Sequence, residues 1–166
     1  MPLSTTELAT IRSQSLTSHN AYRLKHHVPN VAIADALNLT AQSWAEYLAA
    51  NALFQHSTPA QRNNAGENIY VSYTTASAIA ANVLSESAVA SWYNEVSAYN
   101  YANPQFASTT GHFTQVVWKA STLIGCGAAS GVKTINGVKY NAFYVVCQYS
   151  PAGNVTGQFA DNVLKP

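Results

Sequence analysis

Asn136-Gly137 constrains the chain more than any other dipeptide in it. A type I′ turn needs φ > 0 at both central residues, and Asn-Gly supplies that most readily. A two-residue turn here pairs positions whose numbers sum to 273, so Cys126 falls opposite Cys147. Ile135 and Val138 would form the first, hydrogen-bonded pair. Nine steps further out comes a non-hydrogen-bonded pair, where Cα atoms approach to about 4.5 Å. That separation suits a disulfide, at the short end of the usable range. Gly125, Gly127 and Gly131 could host a bulge and move the register by one. Two buried free thiols are the alternative to a bridge. A bridge implies an oxidising compartment.

Length and composition narrow the class. The 166 residues suit one domain, 1–166, with a core at about 16–164, long enough to bury a sizeable interior. Charged residues are only 9%, against about 25% in typical soluble domains, so solubility rests on Ser, Thr, Asn and Gln. Net charge is +1 and the basic residues are scattered, which leaves no stripe for nucleic acid. No apolar run approaches the ~20 residues of a membrane-spanning helix. Met1-Pro2-Leu3 opens a polar segment unlike a signal peptide. Either the chain is cytosolic or its leader has been removed.

The N-terminal half reads as helical. Leu8, Ile11, Tyr22 and Leu24 fall loosely at helical spacing between Glu7 and about His27. Leu37, Ala41, Trp44, Ala45, Leu48 and Ala52 form a clearer stripe, with Asn38 or Thr40 as its cap. A third helix is expected over about 76–96, burying Ile79, Val83, Val89, Trp92 and Val96. The C-terminal half switches to strands at Phe113–Lys119, Leu123–Ala129 and Ala142–Tyr149. Phe143 to Cys147 are apolar on successive residues, so both faces of that strand should be covered. Helices on both sides of a sheet are the economical answer.

Three stretches carry histidine. His19-Asn20 and His26-His27 read as surface or capping residues. His56 follows the second helix, with Gly66-Glu67-Asn68 eleven residues on across a polar loop, and Gly111-His112 precedes the strand expected at 113. Glu95 lies three residues after Trp92, beside an apolar helix face, and reads by composition as a solvated residue.

Gly111-His112-Phe113-Thr114-Gln115-Val116-Val117-Trp118 resembles the first signature of the CAP superfamily, which takes in cysteine-rich secretory proteins, insect venom antigens and plant pathogenesis-related class 1 proteins. Tyr144 to Asn154 resembles the second. His19-Asn20-Ala21-Tyr22-Arg23, Gly66-Glu67-Asn68-Ile69 and Trp92-Tyr93-Asn94-Glu95 resemble three further motifs, in the family's order. The ending, from Gly153-Asn154 to Val163, looks most like yeast-type secreted members that bind sterols.

The resemblance implies an α+β fold: a three-layer α-β-α sandwich around a mainly antiparallel sheet. It implies a cleft tetrad of His56, Glu67, Glu95 and His112, with His56 and His112 holding a divalent metal, zinc before magnesium. Two imidazoles leave positions open to water, so binding should be weaker than at a closed four-ligand site. Affinity should fall below about pH 6, because a ligating imidazole must be neutral. It identifies Cys126–Cys147 as the bridge many relatives share. Many secreted relatives carry more disulfides and a Golgi-associated branch carries none; a retained pair favours secretion, with the leader removed.

The function these features imply is a secreted protein that binds and exports sterol or fatty acid, as a monomer or weak dimer, without nucleic acid. Tyr70, Tyr73, Tyr99 and Phe106 are candidate portal residues, with ordinary packing as their competing explanation. No catalytic residue is assigned. A metal-dependent hydrolase using Glu67 or Glu95 as general base is one alternative. A non-enzymatic module facing a membrane, a wall component or another copy is the other. Asn38-Leu39-Thr40 and Asn154-Val155-Thr156 are glycosylation triplets.

Overall fold

The computed structural model describes residues 3–166, so the polar opening at Met1-Pro2 lies outside the described residues. Its centre is the hairpin of β3 (Leu123–Ile135) and β4 (Val138–Ser150). Asn136 and Gly137 take φ of 49° and 79°, as the turn requires. Pairing runs unbroken from Ile135↔Val138 to Leu123↔Ser150 and sets Cys126 across from Cys147, bridged at a Cα separation of 4.2 Å. No bulge interrupts it. Gly125, Gly127 and Gly131 serve another purpose. A Cβ on any of them would run into the backbone of the second helix, at Leu37–Asn38, Ala41–Gln42 and Ala49. They let that helix lie directly on the sheet.

Four strands are ordered β1-β3-β4-β2. β1 (Ala32–Ile33) joins β3 in parallel, whereas β2 (Gly66–Thr74) and β3 both run antiparallel to β4, so the sheet is mixed. Successive β4 residues divide between two cores. Ala142, Tyr144 and Val146 face α2 (Asp35–Asn51) with its Ala41, Trp44, Ala45 and Leu48. Phe143, Val145, Cys147 and Tyr149 belong to a larger core with Ile11 of α1 (Thr5–Lys25) and with α3 (Ala81–Tyr93) and α4 (Gly111–Val116). A short α5 (Phe159–Asn162) closes the chain.

Several expectations need correction. No strand forms over 113–119: residues 111–116 are a helix, because a carboxylate takes up the N–H groups of His112 and Phe113, and 117–119 are turn and coil. The polar loop between His56 and Gly66 is present, but the strand that follows it, β2, is not among the expected strands; it pairs along its whole length with β4. The third helix starts at Ala81 and turns into a 3-10 helix at Asn94–Ala98; its buried side uses Leu84, Ser85 and Ala88, while Val83 is 47% exposed. Neither Asn38 nor Thr40 caps α2, whose cap is Ala34 without a side-chain bond. Asn38 is buried instead, its Oδ1 accepting from the Cys126 N–H at 2.9 Å, which leaves no space for a glycan.

His19 is neither a surface nor a capping residue, and His26 does cap α1, its backbone N–H donating to Arg23 O, but its side chain is not at the surface. Both are fully buried: His19 bridges Ser15 O and Tyr149 Oη at 2.7 Å each, and His26 bridges Leu164 O and Tyr93 Oη. Desolvation pushes the His19 pKa down to about 4. Arg23 is also fully buried, and its guanidinium donates to Pro29, Val116, Trp118 and Ser121 carbonyls. It ties α1 to the turn behind α4.

Candidate functional site: two histidine–carboxylate pairs at one cleft

His56 lies in the loop between α2 and β2, and Glu67 is the second residue of β2. Strand register places Glu67 opposite Gln148 of β4. His56 Nδ1 and Glu67 Oε1 are 2.8 Å apart. Oε1 also accepts from Ser57 N–H at 3.0 Å, and Oε2 from Ser57 Oγ at 2.6 Å and Gln148 Nε2 at 3.0 Å. Burial alone would raise the Glu67 pKa; the donors on its two oxygens outweigh that and hold it below the ordinary value.

The second pair is built at a helix start. Glu95 projects from the 3-10 helix after α3; Oε1 accepts from His112 N–H at 2.9 Å and Phe113 N–H at 3.1 Å, and Oε2 lies 2.9 Å from His112 Nδ1. One carboxylate thus satisfies the first donors of α4 and orients the ring of its second residue. Asn68 Nδ2 donates to the His112 carbonyl at 3.1 Å and to Tyr149 Oη at 3.2 Å. Trp92 stacks near the imidazole at 6.4 Å between centroids, tilted by 25°. Asn154, at φ 58°, accepts from Thr114 Oγ1 at 2.6 Å and donates to Gly111 O at 2.9 Å. A side chain at Gly111 would press on the Phe106 ring at 2.9 Å.

Both pairs meet at a cleft of about 210 Å³, whose walls include His56, Glu67, Phe106, Gly111, His112 and Asn154. An ionised carboxylate only accepts, so in the neutral histidines Nδ1 carries the proton and Nε2 keeps its lone pair. Among the described residues, the hydrogen bonds of both rings run through Nδ1 and none through Nε2. A carboxylate behind Nδ1 is the usual outer support of a metal-binding imidazole, since it fixes the tautomer and the ring direction. The donor set therefore fits a borderline cation with two protein ligands and open positions. Among the described residues no three His, Cys, Asp or Glu side chains gather as a fuller ligand set.

The cysteine-rich secretory protein family model matches residues 16–149. The chain belongs to the CAP family. All four tetrad residues and both cysteines of this CAP domain fall inside the match. The domain is 38% identical over 157 residues to human Golgi-associated plant pathogenesis-related protein 1, covering 93% of this chain and 92% of that protein. It is 35% identical over 150 residues to Protein PRY2 of Saccharomyces cerevisiae, covering 90% of this chain but only 40% of the yeast protein's length. Among solved structures, NaASP2 with Zn2+ superposes with a TM-score of 0.73 at 25% identity, covering 98% of this CAP domain and 89% of that chain.

The portal candidates separate. Tyr70 packs against the larger core and Tyr73 is at the surface of β2. Tyr99 is buried, edge-on to Tyr101 and Phe113, while Phe106 is 56% exposed at the cleft wall. Among the described residues the buried hydroxyls of Tyr99, Tyr101 and Tyr144 have no hydrogen-bond partner, and burial pushes the Tyr101 pKa up to about 12. The sequence reading singled out neither Ser57 nor Gln148, the two residues that hold Glu67. Their only signals were Ser57's place beside His56 and Gln148's place within the second signature.

Proposed function

We propose that this CAP domain is a secreted lipid-binding protein whose cleft holds a divalent cation through His56 and His112. What carries the reading is that two imidazoles, each with Nδ1 against its own carboxylate, keep an unpaired Nε2 on one cleft. Imidazole donors suit zinc better than magnesium, which prefers oxygen. When bound, the cation supplies fixed positive charge and positions open to water or an anionic head group. Glu67 and Glu95 orient the rings, and Asn68 holds the His112 backbone. The NaASP2 structure with Zn2+ supports the choice of metal.

Support for a sterol or fatty acid comes from the charge-poor surface and from the unpaired Tyr99 and Tyr101 hydroxyls within aromatic surroundings. A sterol hydroxyl or a carboxylate could pair with them. The family's secretory description and the single disulfide favour an extracellular location, with a membrane or wall surface as the setting. The human relative's name associates that protein with the Golgi, which runs against an extracellular location. Helices against both faces of the sheet support the three-layer sandwich. A hydrolase finds less support, because each carboxylate is already engaged by its histidine and neighbouring donors.

Calorimetric titration with zinc tests the metal. One equivalent should bind, and His112→Ala should abolish it; unchanged binding by that variant contradicts the reading. Titration with labelled cholesterol and a labelled fatty acid tests the lipid, and the absence of saturable binding to both ends that part.

A further inference from the structure

A second site lies along the outer side of α2. A groove of about 380 Å³ is lined by Leu39, Thr40, Ser43, Trp44, Tyr47 and Gln61, with Ser57 at its end. Trp44 and Tyr47 stack at 4.8 Å with their planes 16° apart. The indole N–H donates to Gln55 O at 3.0 Å, which locks Trp44, and Trp44 backs the Tyr47 ring, 45% exposed. The result is a flat aromatic face ordered before any ligand arrives, so little rotamer freedom is lost on binding.

Polar groups sit beside that face. Ser43 is exposed and presents its hydroxyl on the groove. Gln61 Oε1 accepts from Thr58 N–H at 2.8 Å, which leaves its amide N–H groups to donate into the groove. Thr40 Oγ1 donates to Gln148 and retains a lone pair to accept with. No Asp, Glu, Lys, Arg or His lines the groove. A charged occupant would find no counter-charge there. A wholly apolar one would strip water from Ser43 and Gln61 without replacing it, at a cost in affinity. A pyranose ring meets both demands, with a C–H face to lie on an aromatic ring and neutral hydroxyls around its edge.

We infer that the α2 groove binds a neutral hexose unit of a glycan, stacked on Tyr47 and hydrogen-bonded by Ser43, Gln61 and Thr40. The groove adjoins the histidine cleft, since Ser57 and, through Gln148, Thr40 both reach Glu67, but the inference does not depend on the lipid or metal reading.

The test is titration of the full chain, in EDTA, with laminarihexaose, cellohexaose and maltohexaose in turn, followed by 1H–15N spectra. At least one sugar should saturate, with shifts concentrated at residues 39–47 and 57–61. Tyr47→Ala should weaken binding about tenfold or more, as loss of a central aromatic contact does. Tyr47→Phe should retain it, and Ser43→Ala should weaken it about threefold. Tyr47→Ala should keep the parent's 1H–15N pattern outside residues 39–61, which shows that the variant is folded. The inference is overturned if no sugar saturates, or if saturation is indifferent to both Tyr47→Ala and Ser43→Ala. Cholesteryl sulfate moving the same resonances where the sugars do not would also overturn it.

Discussion

The two histidine–carboxylate pairs share a bond but differ in what their carboxylates do for the fold. Glu67 is 1% exposed and receives three donors besides His56, while the His56 ring itself is 57% exposed. Glu95 is 21% exposed beside a His112 ring at 31%, and its second duty is to the start of α4. In the first pair a rigid, buried carboxylate steadies a surface ring. In the second, one carboxylate positions both a ring and the helix that carries it. An imidazole can thus be oriented from the sheet or from a helix terminus.

The largest expected effect separates the carboxylates by stability. Glu67→Ala leaves Ser57 N–H, Ser57 Oγ and Gln148 Nε2 without their acceptor and should cost about 3 kcal/mol in urea unfolding. Glu95→Ala, at a half-exposed helix start, should cost about 1 kcal/mol. Equal costs would erase the distinction.

Acid extends the comparison to a histidine that has no carboxylate. His19 has a folded pKa of about 4 against an ordinary 6.5. Above 6.5 both folded and unfolded forms are neutral; between 6.5 and 4 only the unfolded chain takes up the proton. Stability should therefore fall by up to about 3 kcal/mol over that window and level off below it. Glu67 acts lower in pH: its depressed folded pKa gives stability that is full above the unfolded value and lost as pH falls through the folded one. Unfolding curves of the parent and His19→Gln from pH 7.5 to 3.5 should differ in slope between 6.5 and 4. Parallel curves would remove His19 from the account.

Metal affinity should respond more evenly. Glu67→Gln and Glu95→Gln each replace an acceptor facing Nδ1 with an amide and should weaken zinc binding about tenfold. A deficit in only one would assign the metal to that histidine alone. The smallest effect belongs to Phe106→Ala, whose exposed ring should cost under about 1 kcal/mol in stability.

The legible parts of this molecule were those set by local chemistry or by an ordered series of motifs. Asn136-Gly137 carried the register, the disulfide and two strands, because turn type determines pairing. The tetrad positions came through the family resemblance, and the structure brings His56, Glu67 and His112 to one cleft with Glu95 behind His112. What stayed hidden depended on distant partners. Phe113 to Val116 include strand-forming side chains, yet α4 forms over Gly111–Val116 because Glu95, remote in sequence, satisfies its first N–H groups. His19 and His26 carry no mark of burial in their own neighbourhoods; Tyr149 and Leu164 supply it. The glycines of β3 suggested a bulge, whereas their cause is the backbone of α2 lying against them.

The central claim is that both imidazoles are held in the same tautomer with Nε2 open to one cleft. Long-range 1H–15N spectra of the imidazoles in metal-free protein at pH 7.5 test it directly. The account predicts Nδ1-protonated rings for His56 and His112, and displacement of both Nε2 resonances by one equivalent of zinc. An Nε2-protonated ring at either position, or zinc that moves neither resonance, would contradict it.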